Sequence, residues 1–166
     1  MDNGKPLGDA LWDVDEAAYM FEYYAGWATK VMGSIPPVGP DAMSLVIKEP
    51  IGVAALITPW NYPIQLLLGP LVGAIAAGNC AVLKPSEITA HTSAVLAKLV
   101  RRHLDPECIA IFEGGVPETK AILAERFDHV FYTGNGAVAR EVMAAAAKHL
   151  TPVTLELGGE RPCGVD

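Results

Sequence analysis

The chain has 166 residues, of which 51% are hydrophobic and 19% are charged. This length permits one domain with a substantial hydrophobic core but is short for two, and the composition excludes a disordered chain. A formal net charge of −7 disfavours nucleic acid or an anionic membrane as the main partner, because both attract basic surfaces.

The N-terminal part of the chain predicts a helix over Asp13–Met32. Asp13 occupies the predicted N-cap and Glu16 follows three residues later, which is a capping-box spacing. The apolar residues that share one face of this helix are Val14, Ala17, Ala18, Phe21, Ala25 and Ala28. No basic region followed by an apolar run precedes the helix, so no secretory signal is predicted and we expect a cytoplasmic protein. Residues 1–49 are expected to form this helix and a connecting arm, followed by one domain over residues 50–166.

From Pro50 onward, short apolar runs alternate with helix-like stretches, after a β-prone piece at Ser44–Ile47. The predicted strands are Gly52–Ile57, Cys80–Leu83, Ile109–Phe112, His129–Tyr132 and Val153–Leu155. The predicted helices between them are Ile64–Ala77, Thr89–His103, Glu118–Glu125 and Ala137–Lys148. Strands that are apolar on both faces and alternate with helices are typical of a parallel sheet covered on each side. The pattern predicts an α/β fold, a Rossmann-like doubly wound parallel sheet of about five strands preceded by an N-terminal helix.

The stretch from Ile51 to Leu83 contains no charged residue, which raises the alternative of a membrane-associated protein. Its longest clean apolar run, Leu66–Gly78, is shorter than the roughly 20 residues that a spanning helix needs. The residues that interrupt the stretch are Pro59, Asn61, Pro63, Gln65 and Pro70. We therefore predict a segment buried in a globular core and no membrane partner.

The turn after the first predicted strand, Thr58–Pro63, holds a neutral hydrogen-bond donor between two prolines. The Asn61 carboxamide can donate two hydrogen bonds without carrying charge, so a rigidly held Asn61 could stabilise an oxyanion formed by addition to a carbonyl. The alternative is that Asn61 closes an Asx-turn before a proline.

The turn after the second predicted strand carries Lys84, Ser86 and Glu87. Lys84 and Glu87 could hydrogen-bond the hydroxyl groups of a ribose, and a helix capped by Ser86 would favour a bound phosphate. The alternative is an ordinary strand-to-helix loop with a cap and an acidic first turn.

The turns after the last two predicted strands supply the remaining candidates. Gly134 and Gly136 precede a helix and would let a backbone approach a cofactor, although no GxGxxG pattern is present. Glu156 lies between apolar residues in a strand that is expected to be buried. A buried carboxylate binds a proton more strongly than one in water, which would suit Glu156 to general-base chemistry. The alternative is a glutamate that is paired for structural reasons.

Five stretches, taken together and in this order, resemble the aldehyde dehydrogenase superfamily: PWNYP, VGAIAAGNCAVLKPSE, GGVPET, FDHVFYTGN and AAAKHLTPVTLELGG. The resemblance runs from about Pro50 to Val165 and is strongest for the class that includes the fatty and aromatic aldehyde enzymes. The N-terminal DNGKP piece and the helix after it are nearer to the betaine-aldehyde type. The resemblance implies most of the NAD(P)-binding domain of an oxidoreductase that converts an aldehyde to a carboxylic acid.

The resemblance also implies a role for each matching position. Asn61 corresponds to the oxyanion-hole asparagine, and Glu156 corresponds to the general base that activates water. Lys84 and Glu87 match the pair that holds the adenosine ribose of the dinucleotide. The other positions implied to contact the cofactor are Ile57, Thr58, Pro59, Trp60, Gly115, Gly134, Asn135 and Leu157.

In relatives a cysteine thiolate attacks the aldehyde, and water then releases the acid from a thioester. That cysteine lies further beyond the glutamate than Cys163 does, so we expect the chain to be a fragment that lacks the nucleophile and is inactive alone. Cys80 and Cys108 are expected to be buried packing residues. The alternative is a non-catalytic dinucleotide-binding module or a degenerate fragment.

Cofactor and partners follow from the same resemblance. We expect NAD, with NADP possible in relatives, because Glu87 beside the ribose would repel a 2′-phosphate. Ala139 replaces a usual glycine and is expected to crowd the dinucleotide, while Gly136 and Glu160 replace a threonine and a lysine. The implied partners are a small-molecule aldehyde and, for the full-length form, further copies of itself. No metal site is expected.

Overall fold

The computed structural model describes residues 2–159, so Glu160 and Cys163 lie outside the described residues. Its helices are α1 (Leu7–Ala25), α2 (Gln65–Ala76), α3 (Ala90–His103), α4 (Val116–Ala124) and α5 (Gly136–Ala147). Its strands are β1 (Val53–Ile57), β2 (Cys80–Lys84), β3 (Ile109–Ile111), β4 (His129–Gly134) and β5 (Val153–Leu157). A short 3-10 turn at Glu87–Thr89 leads into α3.

The five strands form one parallel sheet in the order β3-β2-β1-β4-β5. The chain winds outward from β1 to β3 and then returns to place β4 on the other side of β1. The predicted doubly wound α/β fold is confirmed, with the N-terminal helix preceding it. The winding direction therefore changes between the neighbouring strands β1 and β4. Folds of this kind bind ligands at that place, beyond the carboxyl ends of the strands.

Alternate residues of the strands face two hydrophobic layers. Leu56 packs with Leu67 of α2 and Leu96 of α3 on one face of the sheet. Ile57, the next residue along β1, packs with Val142 of α5 on the other face. Because both faces of β1 are covered, its sequence is a continuous apolar run rather than an alternating one.

The N-terminal helix differs from its prediction at both ends. It begins six residues before Asp13 and ends at Ala25 rather than Met32. After Gly26 the backbone forms tight turns, in which the Lys30 amide donates to the carbonyl of Trp27. The β-prone piece that follows contributes an isolated antiparallel bridge.

The predicted cap of the first helix was wrong, because Asp13 caps a different helix. Asp13 is only 2% exposed, and its carboxylate accepts hydrogen bonds from the backbone amides of Ile64 (3.3 Å) and Gln65 (2.8 Å). These amides belong to the N-terminus of α2, where the first N–H groups of a helix lack internal partners and the helix dipole attracts negative charge. Asp13 therefore connects α1 to α2.

The helix predicted at Glu118–Glu125 begins two residues earlier, at Val116. Its first turn contains Pro117, and the Glu118 carboxylate accepts a hydrogen bond from the Gly115 amide at 2.7 Å. Glu118 therefore satisfies a free amide before the helix from within its first turn. None of the helices in residues 2–159 is long and apolar enough to cross a membrane.

Candidate functional site

The carboxyl ends of β1, β2, β4 and β5 border one open cleft of about 1430 Å³. The cleft lies where the winding direction of the sheet changes, between β1 and β4. The sequence-predicted positions that line it are Ile57, Thr58, Pro59, Trp60, Asn61, Lys84, Glu87, Gly134, Asn135, Glu156 and Leu157. Gly115 is not among the lining residues, but a Cβ atom at this position would lie 3.8 Å from Cγ of Glu87. The fold thus brings residues from distant turns to one place.

The turn after β1 combines a buried hydroxyl with an exposed carboxamide. Thr58 is 5% exposed, and its amide donates to the carbonyl of Lys84 at 3.2 Å. The Thr58 Oγ1 atom is buried and has no hydrogen-bond partner within the described residues. Burying a hydroxyl without a hydrogen-bond partner is costly, and a ligand in the cleft could supply that partner. Asn61 is exposed at the cleft.

An N-terminal segment braces this turn, a feature that the sequence patterns did not predict. The Asn3 side chain donates to the carbonyl of Trp60 at 2.9 Å. The Lys5 ammonium lies 3.4 Å from the centre of the Tyr62 ring and 3.6 Å from Oδ2 of Asp13. These contacts place a cation–π pair at Tyr62, the residue after Asn61, and an ion pair at Asp13. The sequence DNGKP resembles that of relatives, but no local pattern in it indicates which residues it contacts.

Lys84 is the most deeply buried charged group of the cleft, at 2% exposed. Its ammonium donates to the carbonyl of Pro85 at 2.6 Å and lies 3.9 Å from Oε2 of Glu87. Burial lowers the pKa of Lys84, while the carboxylates of Glu87 and Glu118 oppose that shift. Ser86 accepts a hydrogen bond from the Ile88 amide at 3.2 Å and so caps the 3-10 turn at Glu87–Thr89, whereas the N-cap of α3 is Thr89.

Around Gly134, the absence of a side chain serves the protein's own packing. A Cβ atom at Gly134 would collide with the ring of Tyr132, whose hydroxyl donates to the carbonyl of Asn135 at 3.4 Å. Burial raises the pKa of Tyr132. The Asn135 side chain caps α5 by accepting from the Val138 amide at 2.9 Å. The glycine therefore has a structural reason that is independent of any ligand.

The expectation that Ala139 crowds the dinucleotide is wrong. Ala139 is 2% exposed and packs in the hydrophobic layer between α5 and the sheet. It does not line the cleft, whereas Gly136 does. A methyl group at position 139 fills the core rather than the ligand space, because this side of α5 faces β1 and β4.

The expected burial of Glu156 is also wrong, because its side chain is exposed at the cleft. Within the described residues β5 pairs only with β4, in a register that aligns Thr133 with Glu156 and Gly134 with Leu157. An outermost strand leaves its carboxyl end open to solvent, and Leu157 is 46% exposed. Glu156 therefore lies in the cleft as a free carboxylate within the described residues.

The cysteines within residues 2–159 lie away from the cleft. Cys80 begins β2 and Cys108 immediately precedes β3, so both occupy the amino edge of the sheet. The prediction that both are buried is wrong for Cys108, which is exposed, while Cys80 is half-buried. Their position excludes both thiols from the cleft chemistry. Among these same residues, no group of three or more His, Cys, Asp or Glu side chains is arranged to hold a metal ion.

A cleft at the change of winding direction in a doubly wound sheet defines a ligand-binding α/β protein. The model of the aldehyde dehydrogenase family matches residues 1–166. The chain belongs to the aldehyde dehydrogenase family.

Relatives and solved structures agree with this assignment. The chain is 58% identical over 123 residues to aldehyde dehydrogenase family 3 member B1 of Bos taurus, covering 74% of this chain and 26% of that protein. It is 44% identical over 158 residues to the dimeric NADP-preferring aldehyde dehydrogenase of Canis lupus familiaris, covering 95% of this chain and 35% of that protein. The NAD+ complex of aldehyde dehydrogenase from Bacillus cereus superposes with a TM-score of 0.89 at 34% identity, covering 97% of this chain and 34% of that one. The chain thus spans about a quarter to a third of the length of these proteins.

Proposed function

We propose that residues 50–166 bind a nicotinamide dinucleotide as part of an enzyme that oxidises an aldehyde to a carboxylic acid. The observation that carries this proposal is the cleft at the β1–β4 boundary, which gathers Lys84, Glu87 and the Thr58–Asn61 turn. The Thr58 hydroxyl, which has no hydrogen-bond partner within the described residues, and the buried ammonium of Lys84 are donors at the cleft that a ligand would engage. The membership of the family supports the same cofactor class.

Lys84 and Glu87 are proposed to hold the adenosine ribose. The ammonium of Lys84 would donate to a ribose hydroxyl, and the exposed carboxylate of Glu87 would accept from one. Ile57, Pro59 and Trp60 would line the cofactor surface. Gly115, Gly134, Asn135 and Leu157 are the remaining proposed contacts.

We propose NAD as the preferred dinucleotide. Glu87 beside the ribose would repel a 2′-phosphate through like charge. One relative is named NADP-preferring and one structural neighbour is an NAD+ complex, so the family uses both cofactors. Direct comparison of the two dinucleotides is therefore part of the test.

The bound dinucleotide would supply a hydride acceptor, and the other steps would fall to protein side chains. The Asn61 carboxamide would donate to the oxygen of the attacked carbonyl, where negative charge develops. The exposed carboxylate of Glu156 would take a proton from water, so that hydroxide attacks the thioester on the nucleophilic cysteine. Cys80 and Cys108 lie at the opposite edge of the sheet and cannot serve as that nucleophile. Cys163 lies outside the described residues, and the family resemblance sets the nucleophile further beyond Glu156 than Cys163. On this basis we propose that residues 1–166 by themselves bind dinucleotide without oxidising aldehydes.

A second candidate is a non-catalytic dinucleotide-binding module, favoured by the lack of a cleft cysteine among residues 2–159. This candidate uses the same cofactor contacts. It predicts that a longer protein containing residues 1–166 binds dinucleotide but does not oxidise aldehydes. Aldehyde oxidation by such a longer protein, lost on Glu156→Gln, would support the first candidate and contradict the second. Cysteine-dependent aldehyde oxidation by residues 1–166 would contradict the inactivity proposed for this chain.

Dinucleotide binding is tested by isothermal titration calorimetry of the chain with NAD+ and with NADP+. We expect NAD+ to bind more tightly, and we expect Lys84→Met to weaken NAD+ binding by about tenfold, which corresponds to the loss of one charged hydrogen bond. Lys98→Met, an exposed position on α3, is the matched control and should leave affinity unchanged. Failure of both dinucleotides to bind, or equal affinity for the Lys84→Met variant, would contradict the proposal.

A further inference from the structure

Two cysteines lie next to each other at the amino edge of the sheet, opposite the edge that carries the proposed cofactor cleft. β2 and β3 are parallel neighbours, in a register that pairs Ala81 with Ile109. One residue earlier in each segment stand Cys80, the first residue of β2, and Cys108, which immediately precedes β3. The Ala81 amide donates to the carbonyl of Cys108 at 2.9 Å. The register therefore places the two cysteines directly opposite each other.

This arrangement meets the geometric requirement for a disulfide bond. Adjacent strands lie about 4.8 Å apart, and cysteines joined by a disulfide have Cα atoms roughly 4.4–6.8 Å apart. Side chains at the same register of parallel neighbours point to the same face of the sheet. The strand pairing thus corresponds to a Cα separation within the range that a disulfide bond needs.

Both cysteines are free thiols. The pKa of the Cys108 thiol is raised, first by the neighbouring Cys80 thiol and further by the carboxylates of Asp105 and Glu107, so its attacking thiolate form is favoured by alkaline pH. Cys108 is exposed and Cys80 is half-buried. A reagent in solution can therefore reach Cys108, and Cys80 is close enough to resolve the product.

We propose that Cys80 and Cys108 form a dithiol that closes to an intramolecular disulfide by exchange with low-molecular-weight disulfides. The Cys108 thiolate attacks one sulfur of the reagent, which forms a mixed disulfide and releases one thiol. The Cys80 thiolate then attacks the Cys108 sulfur and releases the second thiol. The two cysteines lose two electrons and two protons, and the reagent gains both to become two thiols.

Oxidation should leave the cleft open while tying two strands together. Cys80 precedes Lys84 by four residues, which is about 13 Å along a strand. The closed loop would run from Cys80 to Cys108 and contain α3. Closing such a loop restricts the unfolded chain, so we expect the oxidised form to unfold at a higher temperature than the reduced form. The inference does not depend on the proposed function.

The experiment uses the chain carrying Cys163→Ser, so that only the two thiols in question remain. The protein is incubated with 2-hydroxyethyl disulfide, which is uncharged, and in parallel with oxidised glutathione, which is anionic. Both products are examined by intact mass and by peptide mapping without reduction. We expect the loss of two hydrogen atoms, a cross-linked peptide pair containing Cys80 and Cys108, and no retained reagent. The anionic reagent should react more slowly, because Asp105 and Glu107 lie near Cys108.

Single variants supply the matched controls. With Cys80→Ser, the thiol at position 108 should retain one reagent molecule as a stable mixed disulfide, because nothing resolves it. With Cys108→Ser, reaction at Cys80 should be slower, because that thiol is half-buried. Two retained reagent molecules on the protein with both cysteines would overturn the inference, as would disulfide-linked dimers or the absence of any reaction.

Discussion

The two sides of the cleft differ in how firmly their residues are held. On the side of β1 and β2, Thr58 and Lys84 are 5% and 2% exposed, and both make hydrogen bonds to neighbouring backbone. On the side of β4 and β5, Asn135 and Glu156 are exposed and Leu157 is 46% exposed. The proposed ribose contacts include a buried lysine, while the proposed proton-transfer group is open to solvent.

The position of each strand in the sheet explains the difference. β1 and β2 have a neighbour on each side and helices above and below, whereas β5 is outermost among the described residues. The N-terminal segment adds further support to the β1 side through Asn3, Lys5 and Asp13. Substitutions of Lys84 or Asp13 on the first side should therefore affect folding, whereas substitution of the exposed Glu156 on the second should affect ligand chemistry alone.

The largest effect is expected from Asp13→Ala, which removes the support of the β1 side. It leaves two α2 amides and the Lys5 ammonium without their partner. We expect the free energy of unfolding to fall by about 3 kcal/mol, measured by urea denaturation. Asp15→Ala, an exposed position on the same helix, should change it by less than about 0.5 kcal/mol. Equal effects of the two substitutions would contradict the bracing role.

Lys84 gives the β2 side a distinctive dependence on pH. Burial lowers the pKa of Lys84 below its ordinary value of 10.5, so the unfolded chain binds more protons than the folded chain between the lowered pKa and 10.5. The free energy of unfolding should therefore rise with pH across that interval relative to the Lys84→Met variant. The measurement is urea denaturation from pH 7 to about 10.5. The Lys98→Met variant should retain this rise in the free energy of unfolding with pH. Loss of the rise in that variant would show that Lys84 does not cause it.

A pair of threonine substitutions compares an unpartnered hydroxyl with a partnered one. Thr58→Val removes a buried hydroxyl that has no partner within the described residues, so stability should stay constant or rise by up to about 1 kcal/mol. Thr119→Val removes a donor to the Gly115 carbonyl at 2.8 Å and should cost about 1 kcal/mol. NAD+ affinity should fall about fivefold for Thr58→Val, as one hydrogen bond is lost. Destabilisation by Thr58→Val would show that its hydroxyl is already satisfied.

The smallest effect on folding is expected from Glu156→Gln on the β5 side. Because this carboxylate is exposed, the free energy of unfolding should change by less than about 0.5 kcal/mol. Asp128→Asn is a useful contrast, since Oδ2 of Asp128 accepts from the Val53 amide at 2.9 Å and its change should cost about 1 kcal/mol. Thermal and urea unfolding of both variants would check the ranking. A larger cost for Glu156→Gln would indicate a structural partner for that carboxylate.

The elements of the sheet could be predicted closely, and their cleft residues could be predicted through the ordered motifs. The apolar runs at Ala54–Ile57 and Cys80–Leu83 are continuous because strands covered on both faces need no polar side. Three turns far apart in sequence, at Asn61, Lys84 and Glu156, border the same cleft because parallel strands end at the same edge. The contacts that Asn3, Lys5 and Asp13 make with the Thr58–Pro63 turn and with α2 could not be predicted in the same way.

The sequence by itself determined which segments become strands and helices, because periods of two and 3.6 residues are local properties of the backbone. Only the tertiary structure decided which helix Asp13 caps, that Glu156 lies on an outermost strand, and that Ala139 faces the core. It also decided that Cys80 and Cys108 stand opposite each other. These outcomes depend on strand order, register and packing between distant segments, and no local spacing encodes such contacts.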